Sequence, residues 1–182
     1  MLGLLAAFGL AAATGLNAYL PLLIVGLMAR YTDLIALEAP WSALTNPAVL
    51  VVIGVLLAIE FTVDKIPAVD TVNDVIQTVF RPAAGAVLFA ASGNVISNVS
   101  PVLAMVCGLL IAGGVHTAKA VARPAVTAGT VGMGNPVVSL AEDAVSGVTT
   151  IVAIVAPVLL GLLLLLAVWL FIRWYNRRSV RS

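Results

Sequence analysis

The chain has 182 residues, of which 62% are hydrophobic and only 9% charged, with a formal net charge of +1 and a mean hydropathy of +1.16. A soluble domain carries roughly 25% charged residues, so an ordinary water-facing surface is excluded, and the lack of a basic patch interleaved with aromatics leaves nucleic-acid binding without support. Continuous apolar runs such as Pro157 to Ile172 lack the alternation of barrel strands, and lipid demands a backbone that satisfies its own hydrogen bonds, so the chain reads as an all-α integral protein of the inner (plasma) membrane.

Apolar runs bounded by Pro, Gly or charge predict six membrane-spanning helices: 2–28, 47–66, 82–98, 101–121, 136–154 and 157–174. They pair as three hairpins, about 2–66, 82–121 and 136–174, within one transmembrane domain covering 1–182. The first run has no basic stretch ahead of it, so it is expected to be a retained span. Within it, Gly15-Leu-Asn17 followed by Pro21 predicts a break, because proline cannot donate to the helical ladder. The second run ends in Glu60, Asp64 and Lys65. Between Lys65 and Arg81, apolar residues at helical spacing predict a short amphipathic helix over about 69–80, with Asp70, Asn73, Asp74 and Gln77 on its other face.

The third run carries Ser92-Gly93-Asn94, and the fourth contains the lone Cys107, read as packing, followed by His116 and Lys119. Arg123 opens a Gly-rich loop over about 123–135, expected to be mobile. The fifth run holds Glu142-Asp143 and Ser146-Gly147. With six spans and both termini cytoplasmic, Lys65, Arg81, Lys119, Arg123 and the arginines from Arg173 onward share the cytoplasmic side and only Arg30 lies outside, as the positive-inside rule prefers. The chain also resembles itself weakly at an offset of 54: residues 47–100 and 101–154 share 12 identities, including Pro47/Pro101, Lys65/Lys119 and Pro82/Pro136.

Counting 1.5 Å per residue from the proline opening each helix sets Glu60, His116, Glu142 and Asp143 at one depth, in the inner third of a ~30 Å layer. Carboxylates at that depth need a partner, a proton or a water-lined cavity. The expected site comprises Glu60, Asp64, His116, Glu142 and Asp143, with Thr14, Asn17, Asn94 and Ser146 as neutral ligands near the midplane and Lys65, Lys119, Arg81 and Arg123 as ion-pair partners. Glu142 and Asp143 are about 100° apart on a helix, so one is expected to face the interior and the other a neighbouring helix or protomer.

No cofactor is required. A bound cation is compatible with the donors: oxygen ligands suit Mg, Ca or Mn, and adding His116 shifts preference toward a transition metal. A single His and the lack of Gly-x-Ser-x-Gly or His-Glu-x-x-His leave no enzyme signature.

Five motifs together, Gly15-Leu-Asn-Ala-Tyr-Leu-Pro21, Asp64-Lys-Ile-Pro-Ala-Val-Asp70, Arg81-Pro-Ala-Ala-Gly-Ala86, His116-Thr-Ala-Lys119 and Ser139-Leu-Ala-Glu-Asp143, resemble a bacterial family of small integral membrane proteins known only as a domain of unknown function, DUF4126-like. The resemblance runs from about residue 10 to 150 and implies a whole-chain membrane domain, with no activity attached. Glu60 and Asp64-Lys65 are also loosely similar to the Glu-x-Gly-Asp-Lys pattern of cation and proton exchangers, at a spacing of four rather than three and without the Gly.

The expected function is movement of a small cation or an ion-coupled solute, as transporter or channel. The competing expectation is a non-transporting scaffold, or a lipid- or complex-interacting protein, in which the charges only lock helices together. The expected partners are the lipid bilayer, the transported cation or solute, and further copies of the chain in a homo-oligomer, since so small a bundle has little interior of its own.

Overall fold

A computed structural model describes residues 2–63, 67–92, 99–130 and 133–179. Among them are seven helices and no strand: α1 (Leu2–Leu16), α2 (Tyr19–Tyr31), α3 (Pro47–Val63), α4 (Pro67–Ala91), α5 (Pro101–Thr130), α6 (Asn135–Val155) and α7 (Pro157–Ser179), with a 3-10 turn over Trp41–Thr45. The helices α5 and α6 are long and apolar enough to cross a membrane, and the others are shorter or less uniformly apolar. The architecture is thus all-helical and compatible with a membrane protein.

Helix α1 is the hub, packed against α4, α5, α6 and the start of α7. Its small residues make that possible, since Ala7, Gly9, Ala11, Ala13, Thr14 and Gly15 are buried on several sides at once and let neighbouring backbones come close. A Cβ on Gly15 would sit 2.6 Å from the Ala112 carbonyl of α5. Phe8 meets Phe89 edge-on at 5.4 Å, and Ala7 clusters with Ala90 and Ala104. The start of α1 therefore shares one end of the bundle with the end of α4 and the start of α5. Across α4 and α5, Gly85 and Gly108 place backbone against backbone.

The run 2–28 is not one helix. The chain leaves helical geometry after Leu16, and the Asn17 Oδ1 accepts the backbone N–H of Tyr19 at 3.0 Å and of Leu20 at 2.8 Å, capping a new helix. Four residues beyond the cap, Pro21 has no N–H for the Asn17 carbonyl, which removes the next bond too. Helix α2 then turns back, so that Val25 and the segment 34–37 line the same cavity as Gly3, Ala6 and Leu10 of α1.

Helix α3 starts at Pro47, where the Asn46 Oδ1 accepts the Ala48 N–H at 2.9 Å. It buries Leu50, Ile53, Leu57 and Glu60, and exposes Val51, Val52, Val55 and Ile59. Two expectations about connections are overturned. The amphipathic segment 69–80 is not a separate helix, because α4 continues through Pro82 to Ala91. Most of the expected Gly-rich loop of 123–135 is helical instead, because α5 continues through Pro124 to Thr130. Each proline follows a buried arginine, Arg81 or Arg123, held by tertiary partners. Those partners outweigh the usual bias of a pre-proline residue away from helix, and the proline ring itself holds a helical φ.

Helix α6 is inside-out by the standard of a soluble protein. Its buried stripe is Asn135, Ser139, Asp143, Ser146, Thr150 and Ala153, whereas Val137, Leu140, Val145, Val148, Ile151 and Val155 are exposed. In water an amphipathic helix buries its apolar face. At Ala156, φ −142° and ψ 62° separate α6 from α7.

Candidate functional site

Among the described residues, Arg81 is the largest fully buried side chain, with none of its surface exposed. From α4 its Nη2 donates to Glu60 Oε1 of α3 at 3.1 Å, and its Nη1 lies 3.0 Å from His116 Nδ1 of α5. A guanidinium has only donors, so Nδ1 must accept, which assigns the His116 proton to Nε2 and leaves the ring neutral in this arrangement. Nε2 then donates to Thr78 Oγ1 at 3.1 Å. One arginine thus ties three helices together. Tyr19 extends the network to α2, since its side chain lies beside Gln77 and within electrostatic reach of Glu60 and Arg81. Glu60 is 2% and Gln77 1% exposed, so these polar groups are removed from any outer solvent.

The second cluster surrounds the α1/α2 break. Asn17 Nδ2 donates to Asp143 Oδ1 of α6 at 2.8 Å, so a single carboxamide both caps α2 and fixes it to α6. The C-terminal carbonyl of α1, at Leu16, accepts a hydrogen bond from Lys119 Nζ at 3.3 Å, a cation where a helix end carries partial negative charge. The same ammonium pairs with Glu142 Oε2 at 2.8 Å, and Arg123 Nη2 lies 3.9 Å from that oxygen. The adjacent carboxylates therefore diverge: Asp143 turns to the break and Glu142 to α5.

The expected site residues are only partly brought together. Glu60 and His116 meet through Arg81, Glu142 joins Lys119 and Arg123, and Asp143 joins Asn17. Thr14 and Ser146 use their hydroxyls on the α1 backbone, Thr14 on Ala11 O at 2.7 Å and Ser146 on Ala13 O at 2.9 Å. Asp64, Lys65 and Asn94 lie outside the described residues. No three His, Cys, Asp or Glu side chains among the described residues converge as a metal cluster would require. The carboxylates meet nitrogen donors instead.

Sequence reasoning missed Tyr19, Gln77 and Thr78, together with the polar stripe Asn135, Ser139 and Thr150. A signal was present for both sets. Gln77 and Thr78 precede Arg81 by one helical turn, and Asn135, Ser139, Asp143, Ser146 and Thr150 recur every three or four residues on one face of α6.

No curated protein and no solved structure gives a significant match to this chain. A family model described as a domain of unknown function, DUF4126, matches residues 4–177, nearly the whole chain, and the chain belongs to that family.

Proposed function

We propose that this chain is a multi-pass inner-membrane protein that moves a small cation, or a solute coupled to one, along the polar seam between α6 and the broken α1/α2 pair. The carrying observation is the meeting of two unusual features: an inside-out α6, and a helix break whose cap, Asn17, bonds Asp143. Non-helical backbone at membrane depth is tolerated where protein or a water-filled path surrounds it, and discontinuous helices build midplane binding sites in transporters. In this reading α1 and α2 enter and leave from one side, α3 to α7 supply the crossings, and Lys119 and Arg123 face the cytoplasm. The exposed apolar faces of α3, α5 and α6 meet lipid or a second copy.

A second reading rests on the closed pairs Arg81–Glu60 at 3.1 Å and Lys119–Glu142 at 2.8 Å. Polar networks of this kind can hold helices together without transporting anything. Ion-driven flux into proteoliposomes, measured beside the melting temperature, separates the two. Transport predicts that Asp143→Asn and Glu142→Gln each abolish flux while the protein still folds. Variants that melt much earlier, with wild-type protein showing no flux across a cation and pH panel, favour the scaffold.

A further inference from the structure

A cavity of about 250 Å³ lies between α1, α2 and the end of α4, walled by Gly3, Ala6, Leu10, Val25 and Leu88 and covered by the segment 34–37. Ser92 supplies a hydroxyl to its lining, and that hydroxyl already donates to Leu88 O at 2.9 Å. Nothing else in the described wall except backbone offers a polar group to hold water, so the interior of this partly open pocket is apolar. Small residues create the space: Gly3, Ala6, Ala36 and Ala91 all border it.

The covering segment Leu34-Ile35-Ala36-Leu37 is bracketed by Asp33 and Glu38, both exposed. Among the described residues neither has an ion-pair partner. The nearest cation in sequence, Arg30, donates instead to Thr45 O at 2.8 Å and sits over the Tyr31 ring. The cavity is thus apolar inside, and the segment that covers it is flanked in sequence by an exposed carboxylate on each side.

We infer that this cavity binds the hydrocarbon chain of an amphiphile whose polar end is an ammonium group, with the chain among Ala6, Leu10, Val25 and Leu88 and the cation beside Asp33 and Glu38. The chain supplies affinity through apolar burial. The carboxylates supply selection, since a like charge placed beside them is repelled.

The test uses the full chain in phosphatidylcholine nanodiscs and a decylamine probe with a photoreactive diazirine at the far end of its chain. Labelling is expected on the α1, α2 and α4 cavity wall. Unlabelled decylamine should compete at least about tenfold better than decanoate, and Asp33→Asn with Glu38→Gln should erase that preference. Ala6→Phe should remove the cavity label, and Ala36→Trp, an exposed cover position whose replacement leaves the core untouched, should do the same if Ala6→Phe impairs folding. Replacing part of the lipid with phosphatidylethanolamine identifies the source: lost labelling assigns a membrane lipid, retained labelling a free amine. Label confined to the outer helix faces, unchanged labelling in Ala36→Trp, or equal competition by decanoate in wild-type protein would overturn the assignment.

Discussion

Arg81 is the residue whose removal has the widest effect. It bonds Glu60 and His116 from full burial, so Arg81→Met takes the guanidinium away from a buried carboxylate. Breaking one side of such a pair costs about 3–5 kcal/mol, whereas replacing both with apolar residues is often neutral or stabilising. Glu60→Leu combined with Arg81→Met is therefore expected to be more stable than Arg81→Met alone, as read by thermal unfolding of the purified protein. Additive losses in the double variant would mean that the two side chains are not coupled. Arg81 is legible in the sequence as an ion-pair partner but not as the centre of the site. Its neighbour Pro82 reads as a helix start, which puts the arginine in the cytoplasmic count. Only the continuous α4, with Glu60 and His116 brought in from α3 and α5, places it at the centre.

At the scale of the helix, packing depends on which glycines face a neighbour. A Cβ on Gly108 would meet Gly85 backbone and lie 2.6 Å from Phe89 Cβ, whereas one on Gly114, in the same helix, meets nothing within 4 Å. Gly108→Ala is expected to destabilise by about 1–3 kcal/mol through overpacking, and Gly114→Ala to stabilise by roughly 0.4–1 kcal/mol; denaturation midpoints measured in one detergent compare them directly. The cap at Asn17 is a separate case. Asn17→Ala forfeits both bonds to α2, at about 0.5–2 kcal/mol. Asn17→Asp keeps the capping oxygen but sets a carboxylate against Asp143, and is expected to raise the pH dependence of the melting temperature. Unchanged pH dependence would place the two groups apart.

These elements also show what local sequence could reveal. Pro47, Pro101 and Pro136 open α3, α5 and α6, as expected of a residue suited to a first turn. The break at Asn17 was legible because a capping side chain and Pro21 follow one another. The continuity of α4 and α5 was not, because pre-proline arginines stay helical only when distant partners hold them. The return of α2 toward the start of α1 was equally hidden, since nothing local sets the angle between two helices joined at a cap.

For the whole molecule, the proposed membrane topology turns on the direction in which α2 leaves the break. A single span over 2–28 would put the start of α1 and the segment 34–37 on opposite sides. The bent pair puts them together. In a Cys107→Ser background, an impermeant maleimide added to intact cells is expected to label Ala36→Cys but not Gly129→Cys, and an epitope fused ahead of Met1 should be reached from the same side as Ala36. Opposite accessibility of the epitope and Ala36→Cys would restore the single span.

The planar carboxamide of Asn17 has one further consequence. Its oxygen belongs to the start of α2 and its nitrogen to Asp143, and the two atoms share one rigid group with a fixed orientation. Rolling α6 about its axis therefore has two outcomes: α2 follows as a lever, or the first turn of α2 loses its cap and frays. A displacement at Asp143 is felt at the opening turn of α2 with no intervening chain of contacts, so the amide acts as a hinge pin between the two helices.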